Sequence, residues 1–316
     1  MSQDTVETIV RFHNPASFPE LAAALMSLIA QSWRPLRVLL VTQRFTPDQL
    51  EALDIALAPY RAIDPSAEIV VVPYTRRDGL ADARSALVNA GIAQAQGRYI
   101  GVLDYDDTLY PDAYEILVRE LHASGCAVAC GGIAMKGVAI SAAVPLGLGF
   151  ARSGRWFAQG PVDIFRNEFC PFHGMLLDRT RIAPEDLCLD EGLPVFEDYE
   201  WQLRLWARYP LSFAMIDRII GDYRLRGDGS NTTAMRHEAD IQKRNLWIRW
   251  GADIEARRAR IEVAPAIQAR LGIDPVRPGL TIRQLLDLVD RGEIVPREQP
   301  ILLPRVTPYN PAKVMP

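Results

Sequence analysis

The sequence has 316 residues, a length that predicts about two ordinary domains or one large α/β domain with additions. Hydrophobic residues make up 49% and charged residues 23%, which is typical of a folded globular protein and excludes a mostly disordered chain. The formal net charge is −4, so the charge gives no reason to expect nucleic acid as a partner.

Two features of the sequence bear on its compartment. The four cysteines include no CxxC pair, which favours reduced, partly buried thiols over a disulfide framework. The chain opens with Met-Ser-Gln-Asp instead of a basic and then apolar leader, and its longest apolar stretch, Val138–Phe150, is too short and glycine-rich to span a bilayer. We therefore expect a cytoplasmic protein with at most peripheral contact at the inner face of the membrane.

The first third of the chain alternates predicted strands with predicted helices. The strands are short and aliphatic, as expected of parallel strands covered on both faces: Val6–Phe12, Val38–Val41, Ile69–Val72 and Tyr99–Leu103. The predicted helices between them are Phe18–Ile29, Pro47–Leu57 and Ala81–Ala95. This succession predicts an α/β fold with a doubly wound, mostly parallel sheet. Ligands of such sheets bind beyond the carboxyl ends of the strands, where the sequence has Phe12, His13, Thr42, Gln43, Tyr74 and Asp104–Asp107.

From about Gly125 the alternation of strands and helices becomes less regular. A strand over Ala127–Ile133 and an irregular, glycine-rich stretch over Lys136–Gly160 are expected first. The later predicted elements are a helix over Pro194–Tyr209, a strand over Leu211–Ile219, and helices over Thr232–Arg260 and Thr281–Asp290.

Three carboxylates, Asp104, Asp106 and Asp107, follow the fourth predicted strand in the segment YIGVLDYDDTLYPDAYEIL. Crowded carboxylates repel one another unless a cation lies among them, and hard oxygen ligands of this kind suit Mg²⁺ or Mn²⁺ bridging to substrate phosphates. A solvated acidic turn that caps the helix beginning near Pro111 is the structural alternative, and the segment by itself leaves both open.

The acidic segment resembles two families. Read as D-x-D-x-T-L, it matches the first motif of haloacid-dehalogenase-type phosphatases, with Asp104 as nucleophile and Asp106 as acid and base. That motif normally follows the first strand of its domain, whereas three strand–helix units come before it here. Read as L-D-x-D-D, the segment is similar to the D-x-D signature of family 2 glycosyltransferases, which have the GT-A fold.

The rest of the sequence favours the glycosyltransferase resemblance. The segments TIVRFHN, LMSLIAQSWRPLRVLLV and GLADARSALVNAGIAQAQGRYIGVLDYDD resemble that family over about residues 6–120, and PVFEDYEWQLRLW and YRLRGDGSN resemble its later motifs. The resemblance implies an inverting, hexosyltransferase-like enzyme that moves a sugar from a nucleoside-diphosphate donor to an acceptor hydroxyl. It also implies a donor-binding half over 1–124, an acceptor-binding half over 125–231 and a helical C-terminal extension over 232–316.

The catalytic and metal-binding roles are carried over from the same resemblance. Asp198, in the Glu-Asp motif, is expected to be the catalytic base, and a carboxylate that only interacts with the helix dipole is the alternative. Asp106 is expected to bind Mn²⁺ or Mg²⁺. Asp104 is expected to contact the ribose or uridine side of the donor, and Arg84 the donor as well. For Asp107, organising the loop is the favoured role, and capping a helix and a direct role in the site are the open alternatives.

Acceptor-side residues are implied less directly. Glu197 is expected to bind the acceptor or to orient its loop, and Trp201, with Trp156 and Phe157, is a candidate for stacking on a sugar. His173 stands where the family has an acceptor-side turn before a helix. For the aromatic residues a place in the core, and for His173 a purely structural role, are the alternatives.

Two departures from the family pattern affect the donor site. Thr42-Gln43 stands where relatives have Asp-Asp, and the Gln43 amide can still pair with a pyrimidine edge because it both donates and accepts. Arg226 stands where relatives often have His, and a guanidinium binds phosphate but cannot ligate a cation. A surface arginine that pairs with Asp228 or Asp222 is the open alternative. With Phe12 and His13, these residues complete the expected donor site.

We expect the donor to be a UDP- or dTDP-sugar and the acceptor to be a glycan, a lipid-linked sugar or a protein in bacterial surface polysaccharide or glycoconjugate synthesis. The altered Thr42-Gln43 position also allows a degenerate member of the family that binds a nucleotide or glycan without catalysis. Asp104, Asp106 and Asp198 are all present, which argues against such decay.

Overall fold

The computed structural model describes residues 4–75, 83–140, 145–147, 162–167, 170–226 and 239–296. The four strands predicted in the first third are present: β1 (Val6–Phe12), β2 (Leu36–Gln43), β3 (Ala67–Tyr74) and β4 (Tyr99–Asp104). They lie parallel in the order β3-β2-β1-β4. The helices that connect them are α1 (Phe18–Ile29), α2 (Pro47–Ile63) and α3 (Arg84–Gln94). The predicted doubly wound, mostly parallel sheet is therefore confirmed.

The parallel strands are aliphatic because both of their faces are covered. In β2, Val38 and Leu40 belong to one buried cluster, whereas Leu39 and Val41 belong to the other. The first cluster also contains the buried residues of α1 and α2, and the second contains those of α3. Successive residues of a strand point to opposite faces, so both sets of side chains leave water.

The second half of the sheet departs from the prediction in two places. The stretch expected to be irregular from Lys136 is strand in its first part, because β6 runs over Val128–Ile140 and pairs with a short β7 (Pro145–Gly147). The predicted helix after His173 is wrong: a 3₁₀ turn there is followed by β8 (Met175–Asp178), antiparallel to β4 and β6. Leu176 and Leu177 are buried in the two different core clusters. Successive side chains of a strand point to opposite faces of the sheet, so a strand places these two neighbours in opposite clusters, whereas a short helix would not.

The last long strand brings the chain back to the end of β4. β9 (Leu211–Arg226) is seven residues longer than predicted and runs parallel to β6 with irregular register between Ala129 and Ile133. Its later part pairs with β5 (Thr108–Leu109), which directly follows the acidic segment. The carboxyl end of β9 is therefore held beside Asp104–Asp107.

The remaining helices are α4 (Ala113–Ser124), α5 (Glu197–Arg208), α6 (Ala239–Arg258), α7 (Pro265–Arg270) and α8 (Ile282–Asp290). The helix predicted to begin at Thr232 is described from Ala239 onward, since 227–238 lie outside the described residues. The six-residue helix α7 was not predicted. In the part of the chain that the structure describes, no helix is both long enough and apolar enough to cross a membrane.

Gly91 provides a test of how closely α3 packs against β1. A Cβ atom at this position would lie 2.6 and 2.8 Å from the Cγ2 and Cγ1 atoms of buried Ile9. We expect Gly91→Val to lower the free energy of unfolding by about 1–3 kcal/mol in urea denaturation, because overpacking shifts the helix away from the sheet. In Gly251→Ala the added Cβ meets nothing within 4 Å, so this α6 variant should be unchanged or slightly more stable. Equal losses in the two variants would contradict this packing.

Candidate active site

The guanidinium of Arg11 joins two acidic segments that are far apart in sequence. Its Nε and Nη2 atoms donate to the two carboxylate oxygens of Asp104 at 2.7 and 2.8 Å, and its Nη1 atom donates to Glu197 Oε1 at 3.1 Å. Asp104 ends β4 and Glu197 begins α5. The two sequence motifs that were expected to form one active site therefore meet at one edge of the sheet.

The surroundings of Arg11 leave it little contact with water. Its side chain is 9% exposed, and its guanidinium lies 5.1 Å from the ring centre of Phe172. Burial by itself lowers the pKa of Arg11, but the negative charges of Asp104 and Glu197 raise it above its ordinary value. Arg11 is thus a permanently charged, buried cation that is paired with Asp104 and Glu197.

Asp198 lies in the first turn of α5, next to this ion pair. Its Oδ1 atom accepts a hydrogen bond from the backbone N–H of Tyr199 at 2.8 Å. Burial and then the neighbouring Glu197 raise the pKa of Asp198 to about 6, although Arg11 and Arg84 act in the opposite direction. A carboxylate with this pKa is ionised at neutral pH and can still accept a proton, which is the property that a general base needs.

Asp106 faces the second cation of the site, Arg226. Arg226 Nη2 lies 3.5 Å from Asp106 Oδ2, and Arg226 Nη1 lies 3.5 Å from the hydroxyl of Tyr105 and 4.0 Å from Glu20 Oε1. Burial and the charge of Asp104 raise the pKa of Asp106 to about 6, and Arg226 partly offsets this. Arg226 therefore lies within the acidic cluster at the end of β9.

Asp107 organises the loop, and the alternative that it caps a helix is wrong. Its Oδ1 atom accepts from the backbone N–H of Arg224 at 2.8 Å, which fastens β9 to the acidic segment. The residue that precedes α4 in the cap position is Asp112. Asp107 is 3% exposed, and burial followed by repulsion from Asp106 and Asp104 raises its pKa well above the ordinary value.

The donor atoms of the cluster fit a divalent cation that a substrate shares. Among the described residues, no three acidic, histidine or cysteine side chains converge into an all-protein metal cage. Both oxygens of Asp104 bind Arg11, and Asp107 is bound to β9, so Asp106 is the carboxylate best placed to hold a cation. Mg²⁺ is commonly bound by one or two carboxylates together with substrate phosphates, which is compatible with Asp106 as a single protein ligand.

Some of the predicted site residues are buried in the core. Trp201 is 0% exposed, packs against Phe172 and donates from Nε1 to the backbone of Asp186, so the expected stacking of its ring on a sugar is wrong. Phe12 is also 0% exposed, with its ring between Phe45 and Tyr105, so its side chain has no surface to offer a donor. Trp156 and Phe157 lie outside the described residues.

The structure likewise corrects the expectation for His173. Its side chain is 1% exposed, and its Nδ1 atom lies 3.4 Å from Asp107 Oδ2. Burial lowers the pKa of His173 to about 4, against the opposing effect of Asp104, so the ring is neutral at physiological pH. His173 thus packs beneath the surface against Asp107 of the acidic loop, and its buried side chain does not reach an acceptor.

The other donor-side candidates lie at the ends of strands or near Asp198. His13 is exposed, with its ring 5.4 Å from that of Tyr105, and Gln43 is half-buried at the end of β2. Thr42 is fully buried, and among the described residues its hydroxyl has no hydrogen-bond partner. Arg84 donates to the backbone oxygen of Pro194 and lies 3.8 Å from Glu197, with 30% of its side chain exposed.

Sequence reasoning missed Arg11, Tyr105 and Glu20. Arg11 carried a signal, because it is a charged residue within an otherwise apolar buried strand, and buried charges require a partner. Tyr105 and Glu20 carried none: a tyrosine inside an acidic loop and a glutamate in the first turn of a helix are both ordinary. Their contact with Arg226 depends on the place where β9 ends.

Residues 8–179 match the model of the family described as "Glycosyl transferase family 2". The chain belongs to this family. The match decides against the phosphatase resemblance of the acidic segment. Asp198 and Arg226 lie beyond the matched residues, so their roles do not follow from it.

Similar proteins agree with the family assignment. This family 2 chain is 27% identical over 118 residues to the uncharacterized glycosyltransferase YibD of Escherichia coli K12, covering 37% of the chain and 30% of YibD. It is 25% identical over 210 residues to the succinoglycan biosynthesis protein ExoO of Rhizobium meliloti, covering 61% of the chain and 53% of ExoO. The chain thus spans about half or less of the length of these curated relatives.

The fold of this family 2 chain also has solved counterparts. The crystal structure of S. aureus TarS 1–349 in complex with UDP-GlcNAc matches with a TM-score of 0.55 and 13% identity, covering 85% of this chain and 71% of TarS 1–349. At such low identity the likeness concerns the fold, and it confirms the predicted GT-A type of α/β architecture.

The dependence of the site on Arg11 can be measured by stability. We expect Arg11→Met to lower the free energy of unfolding by about 3–5 kcal/mol, because it leaves the buried Glu197 and the partly buried Asp104 without their counter-charge. The matched control is Arg119→Met, which removes an exposed partner of Glu115 within α4 and should cost about 0.5 kcal/mol or less. Urea denaturation of both variants measures the difference, and similar values would contradict a structural role for Arg11.

Proposed function

We propose that this chain is an inverting glycosyltransferase that uses a nucleoside-diphosphate sugar. One observation carries the proposal. Arg11 holds the acidic loop after β4 and the first turn of α5 together, so that a carboxylate with a pKa of about 6, Asp198, shares one edge of the sheet with Asp106 and Arg226. A base for the acceptor and charge compensation for a diphosphate are thereby available in a single site.

In this proposal Asp198 is the catalytic base. The acceptor hydroxyl gives its proton to Asp198 while its oxygen forms a bond to the anomeric carbon of the donor. The bond from that carbon to the diphosphate oxygen breaks on the opposite face, and the configuration inverts. The high pKa of Asp198 suits this task, since a carboxylate with an ordinary pKa is a weak proton acceptor at neutral pH.

The leaving diphosphate gains negative charge as its bond to the sugar breaks. Arg226 is placed to donate to it, because its guanidinium already lies 3.5 Å from Asp106 within the acidic loop. Asp106 would hold Mn²⁺ or Mg²⁺ when one is bound, and the cation would supply further charge neutralisation. Glu20 on α1 and Tyr105 directly after β4 keep Arg226 in place.

Several residues support a pyrimidine nucleotide, UDP or dTDP. Gln43 is half-buried at the end of β2, two strands from Asp104, and its amide can both donate to and accept from a pyrimidine edge. TarS, which shares the fold, has been crystallised with UDP and with UDP-GlcNAc. Asp104, His13 and Arg84 are proposed as further contacts to the donor, which would occupy the half of the chain over 1–124.

The acceptor is proposed to be a glycan or lipid-linked sugar in the synthesis of a bacterial surface polysaccharide. The name of ExoO, a succinoglycan biosynthesis protein, supports this class of product. Glu197 is bound to Arg11 and is 4% exposed, which supports a role in holding α5 and not in direct contact with the acceptor.

The central test is Asp198→Asn, which keeps the size of the side chain but removes its ability to take a proton. We expect the rate at which UDP or dTDP is released from its sugar donor to fall by about 10²–10⁴-fold, while UDP affinity in isothermal titration stays unchanged. In the wild type, kcat/KM should fall as the pH drops through about 6, because Asp198 must be ionised to act.

Three outcomes would count against the proposal. Near-wild-type release by Asp198→Asn removes Asp198 from the mechanism. UDP binding by a wild-type protein that releases no diphosphate from any donor favours a degenerate, non-catalytic member of the family. Retention of configuration in the product would contradict inversion.

The role of Asp106 is tested by nucleotide binding. We expect Asp106→Ala to weaken UDP affinity by at least about tenfold when Mn²⁺ is present, and to have little effect in EDTA, since only the cation-assisted part of binding is lost. Arg226→Ala is the matched control, because it removes a direct phosphate donor and should weaken UDP binding under both conditions. An equal loss for Asp106→Ala with and without Mn²⁺ would contradict the proposed cation site.

A further inference from the structure

The last turn of α6 contacts the first turn of α5, on which Asp198 lies. Arg258 Nη2 donates to the hydroxyl of Tyr199 at 2.6 Å and to the backbone oxygen of Arg166 at 2.5 Å, and Arg258 Nη1 pairs with Glu255. The guanidinium also lies 5.5 Å from the ring centre of Tyr199. Both residues are buried, with 7% of Arg258 and 3% of Tyr199 exposed.

A neighbouring arginine strengthens the same contact. Arg257 Nη1 lies 3.4 Å from Glu200 Oε1, and Arg257 Nη2 lies 2.7 Å from Asp190. Two consecutive residues of α5, Tyr199 and Glu200, are therefore bound by two consecutive residues of α6.

The start of α5 needs such outside support. Its cap residue, Phe196, has a left-handed backbone with φ of 61° and makes no side-chain capping hydrogen bond. A first turn without a side-chain cap frays unless tertiary contacts hold it. Arg11 holds Glu197 from the sheet, and Arg258 holds Tyr199 from the extension. Asp198 lies between these two anchored residues, and its Oδ1 atom accepts from the backbone of Tyr199.

We propose that Arg258 is a positioning residue for Asp198, and that the helical extension is in this way a working part of the active site. The inference rests on the proposed function, in which Asp198 is the base. Arg258 acts through Tyr199: its own hydrogen bonds go to Tyr199, Glu255 and Arg166, and none of these is the reacting carboxylate.

The experiment compares Arg258→Met with the control Arg283→Met. Arg283 lies on α8 and pairs with the same Glu255 and with Asp287, so its loss removes an exposed ion pair to the same carboxylate without touching α5. Rates of UDP release from UDP-glucose and UDP-GlcNAc, with water as acceptor, give kcat and KM. Hydrogen exchange of the amides of residues 197–203 is measured in the same variants, so that the anchoring is tested independently of turnover.

We expect Arg258→Met to lower kcat by about 10–100-fold while the KM for the donor changes less than about twofold, because a small displacement of the base affects the reaction and not donor binding. Exchange over 197–203 should accelerate, and the acid limb of the pH profile should move to lower pH as Asp198 becomes hydrated. The charged groups that act on Asp198, namely Glu197, Arg11 and Arg84, stay in place. Arg258→Lys should recover part of kcat, and Arg283→Met should resemble the wild type.

A double-mutant cycle identifies the route. Tyr199→Phe removes the hydroxyl that Arg258 binds, so Tyr199→Phe combined with Arg258→Met should lower kcat by less than the product of the two single effects. Wild-type kcat and exchange in Arg258→Met, or independent effects in the cycle, would overturn the positioning role. If Asp198→Asn keeps full activity, or if the wild type releases no nucleoside diphosphate from any donor, the proposed function fails instead, and the exchange data still decide whether Arg258 anchors α5.

Discussion

The ion pair of Arg11 with Asp104 and Glu197 is the interaction on which the site depends. It connects Arg11 to residues 93 and 186 positions further along the chain. Arg11 and Glu197 are largely removed from water, and Asp104 is partly buried. Removing one member leaves the others as uncompensated charges in a medium of low polarity, which is far more costly than breaking a surface pair. The acidic loop after β4 and the start of α5 are consequently fixed relative to each other before any ligand binds.

The same interaction divides the acidic residues into two groups. Asp104 and Glu197 have a guanidinium partner at hydrogen-bond distance, whereas Asp106 and Asp198 lie beside these pairs, and burial next to a like charge raises the pKa of each to about 6. Carboxylates held in such different surroundings commonly take different catalytic roles. The first pair maintains the geometry, and the second supplies a cation ligand and a base in the function proposed here.

The C-terminal helices extend this arrangement from the other side of α5. Arg257 and Arg258 bind Glu200 and Tyr199, so the helix that begins with Glu197 is held between the sheet and α6. Residues 8–179 alone match the family model, and both ends of this contact lie beyond them. The candidate site therefore combines the sheet with helices that lie outside the residues matched by the family model.

The sequence by itself determined the parallel strands, the bounds of α1 and the acidic motif, because aliphatic runs, helical spacing and motif spacing are local properties. Tertiary structure decided the rest. The sequence is compatible with Trp201 in a cleft or in the core, and only the packing around α5 decides between them. The segment after His173 was expected to be a helix, but it is a strand because its side chains are buried on both faces of the sheet. The partner of Arg11 is invisible in sequence because a charge pair over 93 residues leaves no periodic signal, and only the sheet order places β1 beside β4.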